Sequence, residues 1–215
     1  MKIWKMLLLT LLLCTGAAFA SSDVNVQLVG VGGNNAGGVY TYPYYLSIDG
    51  AAPVAGVCDT YDNEVEVGEK WVGYKSPLLE TRGVLPGSSY LLDYKAAGLI
   101  FKSMLAGTTN VNVGNFAIWG LFSNNVQSNS YWSNEESAVE AEFLALAKTE
   151  PNSVYAGLYL ISPVPGTQNW GGTPQEYIGY SPVPEPASLL LVGTGLLVLA
   201  MFFRQRRNQC QNRKA

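Results

Sequence analysis

Histidine is absent from all 215 residues. That removes Ser-His-Asp and Cys-His catalysis and argues against a catalytic zinc site, which usually rests on imidazole. Cysteine is nearly as scarce. Of the three in the chain, Cys14 and Cys210 lie in terminal segments described below, so Cys58 stands alone between them. No disulfide can form inside that central stretch, and its stability has to come from an apolar core. A solitary cysteine of this kind is more often a small buried apolar residue than a reactive one. Basic residues are thin in the same stretch. Six Lys and Arg face all 16 Asp and Glu between Ser21 and Pro186, a net charge of −10. Such a surface offers no basic stripe to a phosphate backbone, which excludes nucleic acid as a partner. The acidity suits solubility outside the cell. No internal repeat of solenoid length is present.

The two ends of the chain carry what the middle lacks. Lys2 and Lys5, the apolar run Met6–Leu13 and the small-x-small triplet Ala18-Phe19-Ala20 make residues 1–20 a secretory leader cut after Ala20. Leu13 before Cys14 is not the small residue that lipid attachment needs, so lipidation is rejected. At the other end, Val183-Pro184-Glu185-Pro186-Ala187-Ser188 cannot be helical, because each proline lacks a backbone donor and pushes its predecessor out of helix. Residues 187–203 carry no charge, and as a helix they would extend roughly 25 Å, close to a ~30 Å hydrocarbon core. Arg204, Arg206 and Arg207 follow, and such clusters stay on the cytoplasmic side. The division expected is a leader at 1–20, an exported domain at 21–180, a rigid linker at 181–186, a transmembrane helix at 187–203 and a basic tail at 204–215.

Between these ends lie about 160 residues, enough for one core. Val24–Val29 alternates as a half-buried strand, and Gly30–Gly38 is a flexible loop without the third glycine of a dinucleotide site. Val39–Ile48 is a tyrosine-rich strand that Pro43 places at an edge or breaks. Pro53–Tyr74 reads as two or three short strands, among them Glu64–Val67 and Lys70–Tyr74. A helix capped by Ser88 or Ser89 is expected over 90–105, with Leu91, Tyr94, Gly98, Phe101 and Leu105 on one face. A short helix is expected over Gly114–Phe122, then a polar loop to Ser130. Ser133 and Glu136 have capping-box spacing, opening a helix that reaches Thr149 and stops at Pro151. Val154–Ile161 is a buried strand, and Gln175–Gly179 the last one. The fold class expected is α+β: a strand-rich exported domain with two or three inserted helices, plus one C-terminal transmembrane helix, with sandwich or barrel left open.

Two resemblances add to this. The order Pro-Glu-Pro, apolar helix, basic cluster resembles the PEP-CTERM sorting signal of exported bacterial proteins. The resemblance implies recognition in the membrane by an exosortase-type protease and delivery to the cell surface or matrix. Val57-Cys58-Asp59, the helix near Tyr94–Phe101 and Asn115-Phe116-Ala117-Ile118-Trp119 together look like a bacterial thioester domain. That family bonds a strand cysteine to a glutamine, and here Asn115 stands in the glutamine's place, one methylene shorter. The resemblance implies Cys58 and Asn115 close together, and the expectation is that fold without the crosslink. The residues alone leave Cys58, Ile118 and Trp119 packed in the core.

Three functions compete. The first is a non-catalytic surface or matrix protein that binds exopolysaccharide or surface proteins, with Tyr40, Tyr42, Tyr44, Tyr45, Trp132 and Trp170 as candidate contacts. The second is a covalent adhesin using Cys58. The third is a carboxylate-dependent hydrolase or calcium site in the densest acidic group, Asp59, Asp62, Glu64 and Glu66, which lacks EF-hand spacing. The first needs no cofactor, metal or catalytic residue.

Overall fold

Alternating apolar residues at the front of the chain build the first stave of a barrel. In the computed structural model, which describes residues 21–80, 90–182 and 194–195, strand β1 (Ser22–Val31) buries Val24, Val26 and Leu28 on one face. The short pair β2 (Asn35–Ala36) and β3 (Val39–Tyr40) forms a separate hairpin. Then come β4 (Tyr44–Ile48), β5 (Val54–Cys58) and β6 (Lys70–Pro77). Helices α1 (Leu91–Leu105), α2 (Val111–Phe122) and α3 (Asn134–Ala147) follow. Strands β7 (Leu158–Pro163) and β8 (Tyr177–Tyr180) complete the sheet. The sheet closes in the order β1-β4-β5-β8-β7-β6, every pairing antiparallel, with β6 returning to β1. The domain is therefore strand-rich with three inserted helices, and the open question resolves as a barrel, whose six strands leave no edge among themselves.

Strand periodicity sorts residues into two cores. Cys58, Tyr177, Tyr159 and Ile161 join Val26, Leu46 and Trp71 in one cluster that fills the barrel. Their neighbours Val57, Ile178, Leu158 and Leu160 join Tyr94, Ile100, Phe101 and Ile118 in a second, beneath the helices. β7 is consequently buried at all six positions, covered by the barrel on one side and by helices on the other. At Gly73 an added Cβ would lie 2.7 Å from Ile161 and 2.9 Å from Val26, so only glycine leaves room for both inside the barrel.

The antiparallel order gives the barrel two distinct ends. Ser22, Ile48, Val54, Pro77, Leu158 and Tyr180 lie at one end, so the chain enters and leaves there. Val31, Tyr44, Cys58, Lys70 and Tyr177 lie at the other. The exit is pinned: Ser181 N–H donates to Gly157 O at 2.9 Å. Gly157 has φ +84°, and an added Cβ would come within 2.4 Å of Ser181 O.

Several expected elements shift. Glu64–Val67 is not a strand, because Glu69 folds back: its N–H donates to Glu66 O at 3.0 Å and its carboxylate accepts the Glu66 N–H at 3.1 Å. The expected strand from Val154 begins instead at Leu158, after a 3-10 turn over Asn152–Tyr155. Pro43, cis after Tyr42, breaks its strand into β3 and β4. α2 starts three residues early because Asn110 caps it, accepting from Asn112 N–H and Val113 N–H. The polar loop after α2 contains a 3-10 turn over Asn124–Ser128. On α1, Tyr94, Gly98 and Phe101 are buried as expected, while Leu91 and Leu105 are exposed. Ser88 and Ser89 lie outside the described residues, and Tyr90 holds the N-cap position without a side-chain cap. The Ser133–Glu136 capping box forms, and α3 ends at Ala147.

The leader with Ala18 and Ala20, the linker motif and the arginine cluster lie outside the described residues. Of the expected span only Thr194 and Gly195, both helical, are described. Among the described residues no helix is long and apolar enough to cross a membrane.

Candidate functional site

The candidate residues gather at the end of the barrel opposite the chain's exit. β5 ends there with Cys58, whose side chain turns into the barrel core and is fully buried. α2 lays Asn115 against it, because the Asn110 cap and the buried face Phe116, Ile118 and Trp119 fix the helix on the sheet. Asn115 is also fully buried, and both ends of its amide are occupied. Nδ2 donates to the Cys58 carbonyl at 3.1 Å, and Oδ1 accepts the Tyr42 N–H at 2.8 Å. The side chain thus ties β5 to the segment entering β4. The Cys58 thiol turns elsewhere, donating to Thr60 O at 3.4 Å.

Burial pushes the Cys58 thiol up to about 12, and the neighbouring Asp59 adds to this, while Trp119 and Thr60 offset it only in part. At neutral pH on the order of one thiol in 10⁵ is ionised, and the thiolate is the nucleophile. Iodoacetamide is therefore expected to leave Cys58 unmodified in the native chain and to label it once denaturant opens the barrel. Peptide mapping checks this, and rapid native labelling would overturn it.

The acidic group splits in the structure. Asp59 turns inward, 1% exposed, to face Glu176, which is 0% exposed. Apart from the facing Glu176 carboxyl, neither Asp59 oxygen meets a hydrogen-bond partner. Glu176 Oε1 accepts from Tyr94 O–H at 2.6 Å, and Glu176 N–H donates to Thr60 Oγ1 at 2.9 Å. Burial first, and the facing Glu176 second, holds the Asp59 carboxyl well above the usual carboxylate range. Asp59, buried against a second carboxyl group, therefore keeps its proton. Glu176 carries no mark in the sequence. It sits at the mouth of β8 after a Gly-Pro-rich loop, and nothing local identifies it as the partner of a residue on β5.

Asp62, Glu64 and Glu66 stay exposed and line a cleft of about 760 Å³ with Tyr40, Tyr61 and Trp119. Asn125 Nδ2 donates to Asp62 Oδ1 at 2.8 Å, fixing one wall to the turn after α2. Tyr44 O–H donates to Tyr40 O at 2.6 Å and fixes the hairpin wall to the barrel. Tyr61 packs on Trp119 with ring centroids 5.3 Å apart. Of the other aromatic candidates, Tyr44 is buried, Tyr42 and Trp132 are half-buried, and Tyr45 and Trp170 are exposed. Among the described residues no group of three or more Cys, Asp or Glu is arranged to hold a metal ion.

No curated protein matches the chain. Among solved structures, the N-terminal thioester domain of a surface protein from Clostridium perfringens aligns over 74% of this chain and 99% of its own, with 11% identity and a TM-score of 0.42. That likeness is too distant to carry fold or chemistry across. Residues 182–207 match the PEP-CTERM protein-sorting motif, and the chain carries that sorting signal immediately after its last barrel strand.

Proposed function

We propose that the chain is an exported, non-catalytic protein of the cell surface or extracellular matrix, delivered through its C-terminal signal. The observation that carries this is the sorting motif at 182–207, which supports an exosortase-sorted surface protein held at the membrane. In this reading the leader is removed after Ala20, and residues 21–180 fold outside the membrane. Val183–Ser188 is the stretch the protease recognises, 187–203 spans the bilayer, and Arg204, Arg206 and Arg207 hold the tail on the cytoplasmic side. The closed barrel needs no partner to complete its sheet. The cleft at the end of the barrel opposite Ser181 is the surface that, in this reading, meets surface polymers or proteins. For a carboxylate hydrolase, Asp59 is buried against Glu176 and out of a substrate's reach, which leaves the exposed Asp62, Glu64 and Glu66 of the cleft as the acids such a reading would need.

A covalent adhesin is the second reading, favoured by the contact of Asn115 with Cys58. Against it stand the thiol's burial and an amide already bonded at both ends.

Expressing the chain with and without the processing protease tests the first reading. Without it, the product is expected in the membrane fraction, lacking its leader. With it, a lighter form missing the tail is expected in the released fraction, as intact mass will read. A product that stays soluble in the cytoplasm with its leader attached would sink the proposal.

A further inference from the structure

The end of the barrel away from the chain's exit carries an acidic, aromatic-lined cleft. The roughly 760 Å³ cleft there has the volume of sites that enclose a sizeable ligand. Its walls are aromatic and aliphatic, with Tyr40 54% exposed at the rim and Tyr61, Val65 and Trp119 deeper. Among the described residues, its only charged lining residues are Asp62, Glu64 and Glu66. The segment Glu64-Val65-Glu66 is also a partition. Behind it lies a second recess of about 170 Å³, lined by Glu69 and by the exposed ring of Trp170.

Glu69 supplies the independent evidence. It is 2% exposed, and its Oε2 accepts the Glu66 N–H, while its Oε1 meets no donor. A buried carboxylate oxygen without a donor is costly, and a cation held in the recess that Glu69 lines lowers that cost through space, without touching the oxygen. Four carboxylates within eight residues of sequence, from Asp62 to Glu69, also repel one another, and a cation relieves that repulsion. The cation is not a bare metal ion, since among the described residues these groups do not converge on one point. Carboxylates beside exposed aromatic faces instead suit an ammonium or guanidinium on an alkyl stem, the stem lying on the rings and the head against the acids. Two recesses sharing one acidic wall suit a chain that carries more than one such group.

We propose that this end of the barrel binds a basic polypeptide segment, with lysine or arginine side chains seated against Asp62, Glu64, Glu66 and Glu69 and packed on Tyr40 and Trp170. The inference takes from the proposed function only that the barrel is exported. Binding is read on purified chain and sorting is read in cells, so either can fail without the other.

The test is calorimetric titration of the purified chain in nonionic detergent, with a tetralysine peptide and, separately, a neutral glucan oligosaccharide. Tetralysine is expected to bind at a single site, more weakly as salt rises. The combined change Asp62→Asn, Glu64→Gln and Glu66→Gln is expected to weaken it about tenfold, since each exposed contact contributes a fraction of a kcal/mol. A charge-matched control, Asp23→Asn, Glu80→Gln and Glu142→Gln, removes acids that do not line the cleft and is expected to weaken binding less than about twofold. Tyr40→Ala, which changes no charge, is expected to weaken it about threefold. Equal losses in the two triple variants would reduce the effect to general attraction and overturn the proposal. So would no loss in Tyr40→Ala, or binding of the glucan without the peptide. Unfolding temperatures of each variant exclude misfolding as the cause of a loss.

Discussion

Asp59→Asn is expected to raise the unfolding temperature at neutral pH and to flatten its dependence on pH. Asp59 and Glu176 face each other with almost no exposure, and apart from the Glu176 carboxyl nothing hydrogen-bonds to either Asp59 oxygen. Burial and the facing carboxylate hold the Asp59 pKa above its unfolded value of about 3.9. The sign follows from proton counting. Below roughly pH 4 both the folded and the unfolded chain carry the proton, and the pair imposes no penalty. Above that the unfolded chain releases its proton while the folded one keeps it, so stability falls as pH rises until the folded carboxyl also ionises. This is the reverse of a salt-bridged aspartate. The Cys58 thiol and the Tyr177 hydroxyl beside the pair are both shifted upward by burial, so neither adds slope in that range. Asparagine keeps the shape, removes the proton and offers an N–H to Glu176. A gain of about 1–3 kcal/mol is expected, which for a domain of this size is about 2–4 °C per kcal/mol. Thermal unfolding by circular dichroism from about pH 4 to pH 8 measures it. A variant less stable at every pH would show that Asp59 is ionised and satisfied, and would refute its retained proton.

What the sequence disclosed depended on how far apart the determinants lie. β1 was legible because Val24, Val26 and Leu28 repeat at a period of two within one segment. α3 was legible because Ser133 and Glu136 cap it within one turn. The faces of α1 were half legible: Tyr94 and Phe101 reach the core, while the terminal leucines fall beyond the sheet's cover. Closure of the barrel was not legible, since it rests on pairings such as Ser22 with Lys75 and Cys58 with Tyr177. Nothing local to either partner signals them. Glu64–Val67 misled for a different reason. Its alternation is real, but it shows one acidic face to two recesses, and the Glu69 carboxylate closes the segment into a turn. At the candidate site, Cys58 and Asn115 were marked by a resemblance and Asp62, Glu64 and Glu66 by density of charge. Glu176, Glu69 and Tyr61 came only with the fold.

Asn115→Ala is expected to cost roughly 3–5 kcal/mol of stability, more than truncation of any other polar side chain at this end of the barrel. The amide donates to the Cys58 carbonyl and accepts from the Tyr42 N–H, so truncation strands two backbone groups in the interior and leaves a void between α2 and β5. Graded variants separate these contributions. Asn115→Asp keeps the acceptor for Tyr42 and loses the donor, setting a carboxylate against a carbonyl. It is expected to be tolerated in acid, where the group is protonated, and to lose stability as pH rises. Asn115→Gln keeps both functions but adds a methylene to a filled site, at an expected cost of about 1–3 kcal/mol. The same geometry bears on the covalent reading. An amide held at both ends, beside a thiol directed at Thr60, is a clamp rather than a reacting pair. The native chain is therefore expected to show the full mass of its sequence less the leader, with no ammonia lost and no adduct after methylamine treatment. If Asn115→Ala unfolded at the wild-type temperature, the clamp would be wrong. If the native mass were short by one ammonia, the bond would exist and the clamp would be its precursor.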